Sequence, residues 1–138
     1  SHAICHAANG IICVKHVHVF NENGCWVGFT ATERQPDITF TSPIKTDLAV
    51  GSGHLAGHVG EELYATPVPE HHNVDEIATA EIVTNILSSK SYNGDLYKYT
   101  RKILRKNKSQ LFAVANALLI TNKLEGKQLS DLLMGVRK

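Results

Sequence analysis

The chain has 138 residues, of which 43% are hydrophobic, and its formal net charge is +1. This length allows one globular domain with one sizeable core, so we expect a single domain over residues 1–138. The near-neutral charge excludes a general nucleic-acid or membrane-surface signature, and no apolar run approaches the ~18 residues that span a bilayer. Three cysteines without a Cys-x-x-Cys pair favour a reducing, cytoplasmic location.

A histidine pair opens the chain. His2 and His6 lie in a short helical pattern that stops at Asn9-Gly10. Residues four apart share one helix face, so both imidazoles can reach a single metal ion. In the zinc-peptidase pattern His-Glu-x-x-His, the residue after the first histidine is the glutamate that activates the metal-bound water. Ala3 occupies that position, so the segment predicts a metal site that lacks its general base.

The next segment predicts a β-hairpin. Two β-prone runs, residues 11–20 and 25–30, flank an Asn/Gly-rich turn at residues 21–24. His16 and His18 alternate with valines, so we expect them on the polar face of the hairpin as exposed strand residues.

A second histidine pair competes with the first. Residues 32–46, with two prolines and five Ser/Thr, predict a loop, and a helical pattern starts at Asp47. It contains His54 and His58, again four apart, but Leu55 stands where the glutamate would be. Close helix packing is the alternative explanation for this segment, because three glycines lie within seven residues: Gly51, Gly53 and Gly57.

A third helix is predicted from Asn73, a plausible N-cap. Asp75 falls on the apolar stripe of this helix. A carboxylate on a core-facing stripe is costly unless it is paired or bound to a metal. Capping or salt bridging near the helix N-terminus is the ordinary alternative.

The sequence of the C-terminal third predicts three helices. After a loop at residues 88–94, a basic helix is predicted over residues 96–108, then a helix capped by Ser109, and a last short helix after Gly126. The basic helix lacks interleaved aromatic residues, so a solvated face is favoured over a nucleic-acid surface. The fold class expected is α+β and mostly α-helical: a short metal-binding helix, a small sheet and a C-terminal helical bundle.

Several separated segments agree, in order, with one known family. Residues 2–7 take the place of a His-Glu-Ala-x-His-Ala motif, and residues 15–30 match a valine-rich strand pair ending in Gly-x-Thr. Residues 57–63 resemble Gly-Arg-x-Ala-Glu-Glu-Leu, residues 73–79 resemble Asn-Asp-x-x-x-Ala-Thr, and residues 103–133 resemble the closing helices. The chain therefore resembles the peptidase domain of the FtsH-type AAA+ zinc metalloproteases.

This resemblance implies a zinc ion bound by His2, His6 and Asp75, with water at the fourth position. Asp75 is offset by one residue from the family's Asn-Asp spacing, which leaves open which side chain completes the site. The chain has no Walker A sequence, so the resemblance implies a stand-alone, ATP-independent endopeptidase acting on unfolded or flexible polypeptide.

The partners expected are a polypeptide substrate, with neither nucleic acid nor membrane, and homo-oligomerisation is left open. The loss of one residue, at Ala3, from an otherwise intact site favours an engineered inactive form. Two alternatives stand beside it: a natural pseudopeptidase that binds peptides or proteins, and a helical domain whose histidines bind nothing.

Overall fold

The computed structural model describes residues 1–34, 43–65 and 92–138. Its helices are α1 (His2–Asn9), α2 (Pro43–Tyr64), α3 (Tyr92–Lys106), α4 (Lys108–Thr121) and α5 (Gly126–Leu133). Its strands are β1 (Ile12–Glu22), β2 (Cys25–Arg34) and β3 (Lys123–Glu125). The predicted α+β, mostly helical class is confirmed for this part of the chain. Across the same ranges, no helix combines the length and apolarity needed to cross a membrane.

The predicted hairpin is confirmed, and its strands form an antiparallel sheet in the order β2-β1-β3. Residues paired across antiparallel strands share a face. Val17, opposite Thr30 on β2 and Leu124 on β3, points into the core, whereas its neighbours His16 and His18 lie on the other face. The sheet therefore presents one face to the helices and one outward.

Helix α1 ends where predicted. Gly10 adopts a left-handed conformation with φ 69°, and its N–H donates to the carbonyl of His6 at 3.1 Å. A residue with a side chain is strained at this φ, so glycine terminates the helix at low cost. Ala3, Ile4 and Cys5 form the buried face of α1 and belong to the main core.

Several predicted boundaries were wrong, among them the ends of β1 at Glu22 and of α3 at Lys106. Helix α2 begins at Pro43 rather than Asp47, because proline fits the first turn of a helix. Strand β2 runs on to Arg34, α3 starts inside the predicted loop, at Tyr92, and Gly126 opens α5 instead of separating it from α4. The helix predicted over residues 73–86 lies outside the described residues.

The cap of α4 also differs from the prediction, since its N-cap is Asn107 and not Ser109. The Asn107 side chain makes no capping bond. Its amide instead donates to the carbonyls of Ile103 and Arg137, and its oxygen accepts the N–H of Arg137. This buried asparagine ties the junction of α3 and α4 to the C-terminal residues, which satisfies polar groups that burial would otherwise leave unpaired.

Candidate metal centre

Two glycines of α2 let α1 approach very closely. A Cβ atom added at Gly53 would lie 2.4 Å from Cε1 of His6, and one added at Gly57 would lie 2.8 Å from Nε2 of His2. The imidazoles of α1 therefore occupy the space that side chains on α2 would otherwise fill. Close helix packing, predicted from the glycine spacing, is confirmed at these two positions.

A cavity of about 280 Å³ opens beside this contact. Helices supply three histidines to its wall, His2, His6 and His54, and strand β2 supplies Gly28, Thr30 and Thr32. The β2 residues are spaced by two, so they share the inward face of the strand. The cavity thus lies between the α1–α2 contact and the edge strand of the described sheet.

Burial controls the charge of the two α1 histidines. Loss of solvent lowers the pKa of His2 to about 4 and that of His6 to about 4, and the nearby His54 adds to the effect at His6. Both imidazoles are therefore neutral at pH 7. Neutral imidazole is the form that binds a metal ion, so no proton has to be removed first.

Hydrogen bonding orients one of these rings. Nδ1 of His2 lies 2.6 Å from the carbonyl oxygen of Gly53, so Nδ1–H donates and the neutral ring carries its lone pair on Nε2. Metal-binding histidines commonly donate their other ring N–H to a backbone carbonyl in this way. Nδ1 of His6 is buried and has no hydrogen-bond partner among the described residues. Such an orphaned nitrogen is what a metal ion would satisfy.

The two histidines of the competing pair on α2, His54 and His58, lie in different surroundings. His54 lines the cavity with His2 and His6, whereas Nε2 of His58 lies 2.7 Å from Oε1 of Glu62, one turn further along α2. The equal spacing predicted two rival pairs, and it did not predict that His54 joins His2 and His6 at one cavity. Gly53 and Gly57, one residue before and three residues after His54, mark the contact face of α2. Their spacing was the sequence signal that could have placed His54 at the cavity.

Of the other two predicted site residues, Ala3 lies in the described part of the chain and Asp75 does not. Ala3 is 2% exposed, belongs to the core, and lies one residue after His2 and three before His6. Asp75 lies outside the described residues, so its role stays a prediction. Within residues 1–34, 43–65 and 92–138, no group of three His, Cys, Asp or Glu side chains is arranged to hold a metal ion. The three histidines share a cavity without forming a complete ligand set.

Comparison with protein-family profiles, curated proteins and solved structures finds no match to this chain. The resemblance to FtsH-type peptidases therefore stays at the level of the motifs. The geometry of the cavity carries the functional argument.

Proposed function

We propose that this chain is an FtsH-type, zinc-dependent peptidase domain in a form without its general base. The observation that carries the proposal is the pair of neutral, partly buried imidazoles of His2 and His6 on one wall of a cavity, with the edge strand β2 on the other. The bond from His2 to the Gly53 carbonyl supports it, because that bond presents Nε2 as the ligand atom.

The donor set fits zinc, which takes imidazole and carboxylate ligands and keeps one position open in catalytic sites. His2 and His6 would supply two ligands, and Asp75 is the proposed third. A zinc ion held there supplies Lewis acidity and an acidified water. Replacing Asp75 by Ala should release most of the zinc. Retention of zinc in that variant, with loss on replacing His54, would make His54 the third ligand.

The proposed substrate is an extended, flexible polypeptide. Strand β2 has one neighbour in the described sheet, β1, so its outer edge can pair with an added strand. The inward residues Gly28 and Thr30 line the cavity, which would bring a strand bound at that edge close to the histidines. The glycines of α2 lack the lysine of a phosphate-binding loop, so cleavage is proposed to need no ATP.

The general base is the missing part, and Ala3→Glu tests the proposal. A glutamate after His2 would add a proton acceptor for the water, and such a group typically contributes roughly 10²–10⁴-fold in rate. We expect chelator-sensitive cleavage of casein by Ala3→Glu and none by the chain as it stands. Ala3→Gln is the matched control, because it places the same bulk at this buried position without the base.

The outcome separates two functions. Thermal unfolding of both variants establishes that they fold, since each adds a polar side chain to a core position. A folded, zinc-loaded Ala3→Glu variant that cuts nothing would overturn the peptidase proposal. The natural pseudopeptidase that binds peptide without cutting would then be the better account, and the apolar surroundings of Ala3 favour that alternative.

A further inference from the structure

A second cluster of histidines lies on the outward face of the sheet. His16 and His18 alternate with the buried Val17 on β1, so both imidazoles project away from the core. Their ring centroids are 5.5 Å apart. Residues at i and i+2 of a strand share a face, which makes this pair the strand counterpart of two helical histidines four apart.

Aromatic neighbours confine the rings. The His18 ring lies 5.3 Å from that of Phe20 and 5.4 Å from that of Phe29, and the His16 ring lies 6.0 Å from that of Phe29. Nδ1 of His18 is buried without a hydrogen-bond partner in the described part of the chain. The phenyl groups thus restrict both imidazoles, and they leave Nδ1 of His18 unsatisfied, which favours binding of an external ligand after a small rotation of the ring.

An acidic residue stands beside the pair on the neighbouring strand. Glu125 of β3 is directly opposite His16, and directly opposed residues have Cβ atoms about 4.5–5.5 Å apart. The Glu125 carboxylate pairs with Lys123 at 3.4 Å, and 65% of its side chain is exposed. An exposed ion pair of this kind contributes little, so the carboxylate can exchange lysine for a cation.

We propose that His16, His18 and Glu125 bind a divalent late transition metal such as Zn²⁺, with water completing its coordination. Imidazole suits zinc, nickel and copper, and the carboxylate offsets part of the charge. No complete three-ligand group is preformed in the described residues. Glu125 pairs with Lys123, which lies directly opposite His18, so binding requires the Glu125 carboxylate to turn from that lysine to the metal ion. The ion would join β1 to β3. This site is separate from the cavity on the opposite face and does not rest on the proposed peptidase function.

Zinc binding to the whole chain tests this site, with the metal alone as the probe. Equilibrium dialysis should find two zinc ions per chain, one at each site. The His16→Gln/His18→Gln variant should keep only the ion in the cavity, and the His2→Gln/His6→Gln variant should keep only the ion on the sheet. Glu125→Gln should weaken zinc binding at the His16/His18 site at least about tenfold, the smallest loss typical of removing even an outer-shell partner. Glu33→Gln is the matched control, because Glu33 is a similarly exposed carboxylate, 2.6 Å from Lys15 in the same sheet, and it should change nothing.

Thermal unfolding with and without zinc supplies a second readout. Zinc should raise the melting temperature of His2→Gln/His6→Gln, because an ion bound only by the folded state stabilises it. A folded His16→Gln/His18→Gln variant that still binds as much zinc as the unchanged chain would overturn the proposal. If the cavity binds no zinc, the unchanged chain should still bind one ion, and the His16→Gln/His18→Gln variant should bind none.

Discussion

Helices α1 and α2 carry histidine pairs with the same spacing, but the two pairs lie in different surroundings. His2 and His6 both line the cavity, whereas on α2 only His54 does so and His58 lies beside Glu62. A spacing of four places two side chains on one helix face, but what faces them decides their chemistry. Across from the α1 pair lie glycine positions of α2, which leave room for the two rings to pack against that helix.

The same contrast separates the cavity from the outer sheet face. Loss of solvent holds the pKa of His2 and of His6 near 4, while His16 and His18 lie half-buried among aromatic rings on the outward face of the sheet. One molecule thus offers two kinds of paired imidazole. Variants that change the packing of α1 against α2 should alter the cavity pair His2 and His6 and leave His16 and His18 unchanged.

The largest expected effect is a pH dependence of stability from the partly desolvated pair His2 and His6. Each pKa is lowered from 6.5 to about 4 in the folded chain, so between these values the unfolded state binds more protons. The stability is complete above pH 6.5 and is lost as pH falls towards 4. The loss would be at most about 3 kcal/mol for each histidine.

Urea unfolding of the metal-free chain from pH 7 to pH 4.5 measures this dependence. His6→Gln removes one of the titrating groups and should flatten the curve, and His2→Gln should act in the same direction. The difference between variant and unchanged chain is the readout, because carboxylates also titrate at the acid end. Equal slopes for the chain with and without His6 would show that burial does not control this pair.

A smaller effect is expected from filling the α1–α2 contact. In Gly53→Ala the new methyl would meet the His6 ring at 2.4 Å, and overpacking of this kind costs about 1–3 kcal/mol. The better helix propensity of alanine offsets up to about 1 kcal/mol of this. Zinc affinity should also fall, since the His6 ring has to move.

Gly28→Ala is the matched control for that change. Gly28 lines the same cavity, but a Cβ there would be 4.0 Å from Cγ1 of Val19, an ordinary contact. Urea unfolding should show a change within about 0.5 kcal/mol. Equal losses of stability in the two variants would contradict the close-packing account of α2.

The elements that carry a strong local pattern were predictable. Alternation and the Asn/Gly turn predicted the hairpin, and Asn9-Gly10 predicted the end of α1. Strand β3 was missed because three residues carry no period, and pairing with Val17 defines it. The entry of His54 into the cavity depends on how α1 packs across α2, a tertiary contact that spacing within one helix does not contain.

The proposed zinc site is the cavity that His2 and His6 line. Isothermal titration with zinc in a His16→Gln/His18→Gln background tests it, because that background leaves the cavity as the site observed. Adding His6→Gln should weaken binding by at least roughly 100-fold, more than the loss of a typical outer-shell partner. Adding His58→Gln, the same substitution in the pair of equal spacing, should leave the affinity unchanged. Wild-type affinity without His6, or an equal loss without His58, would contradict the account.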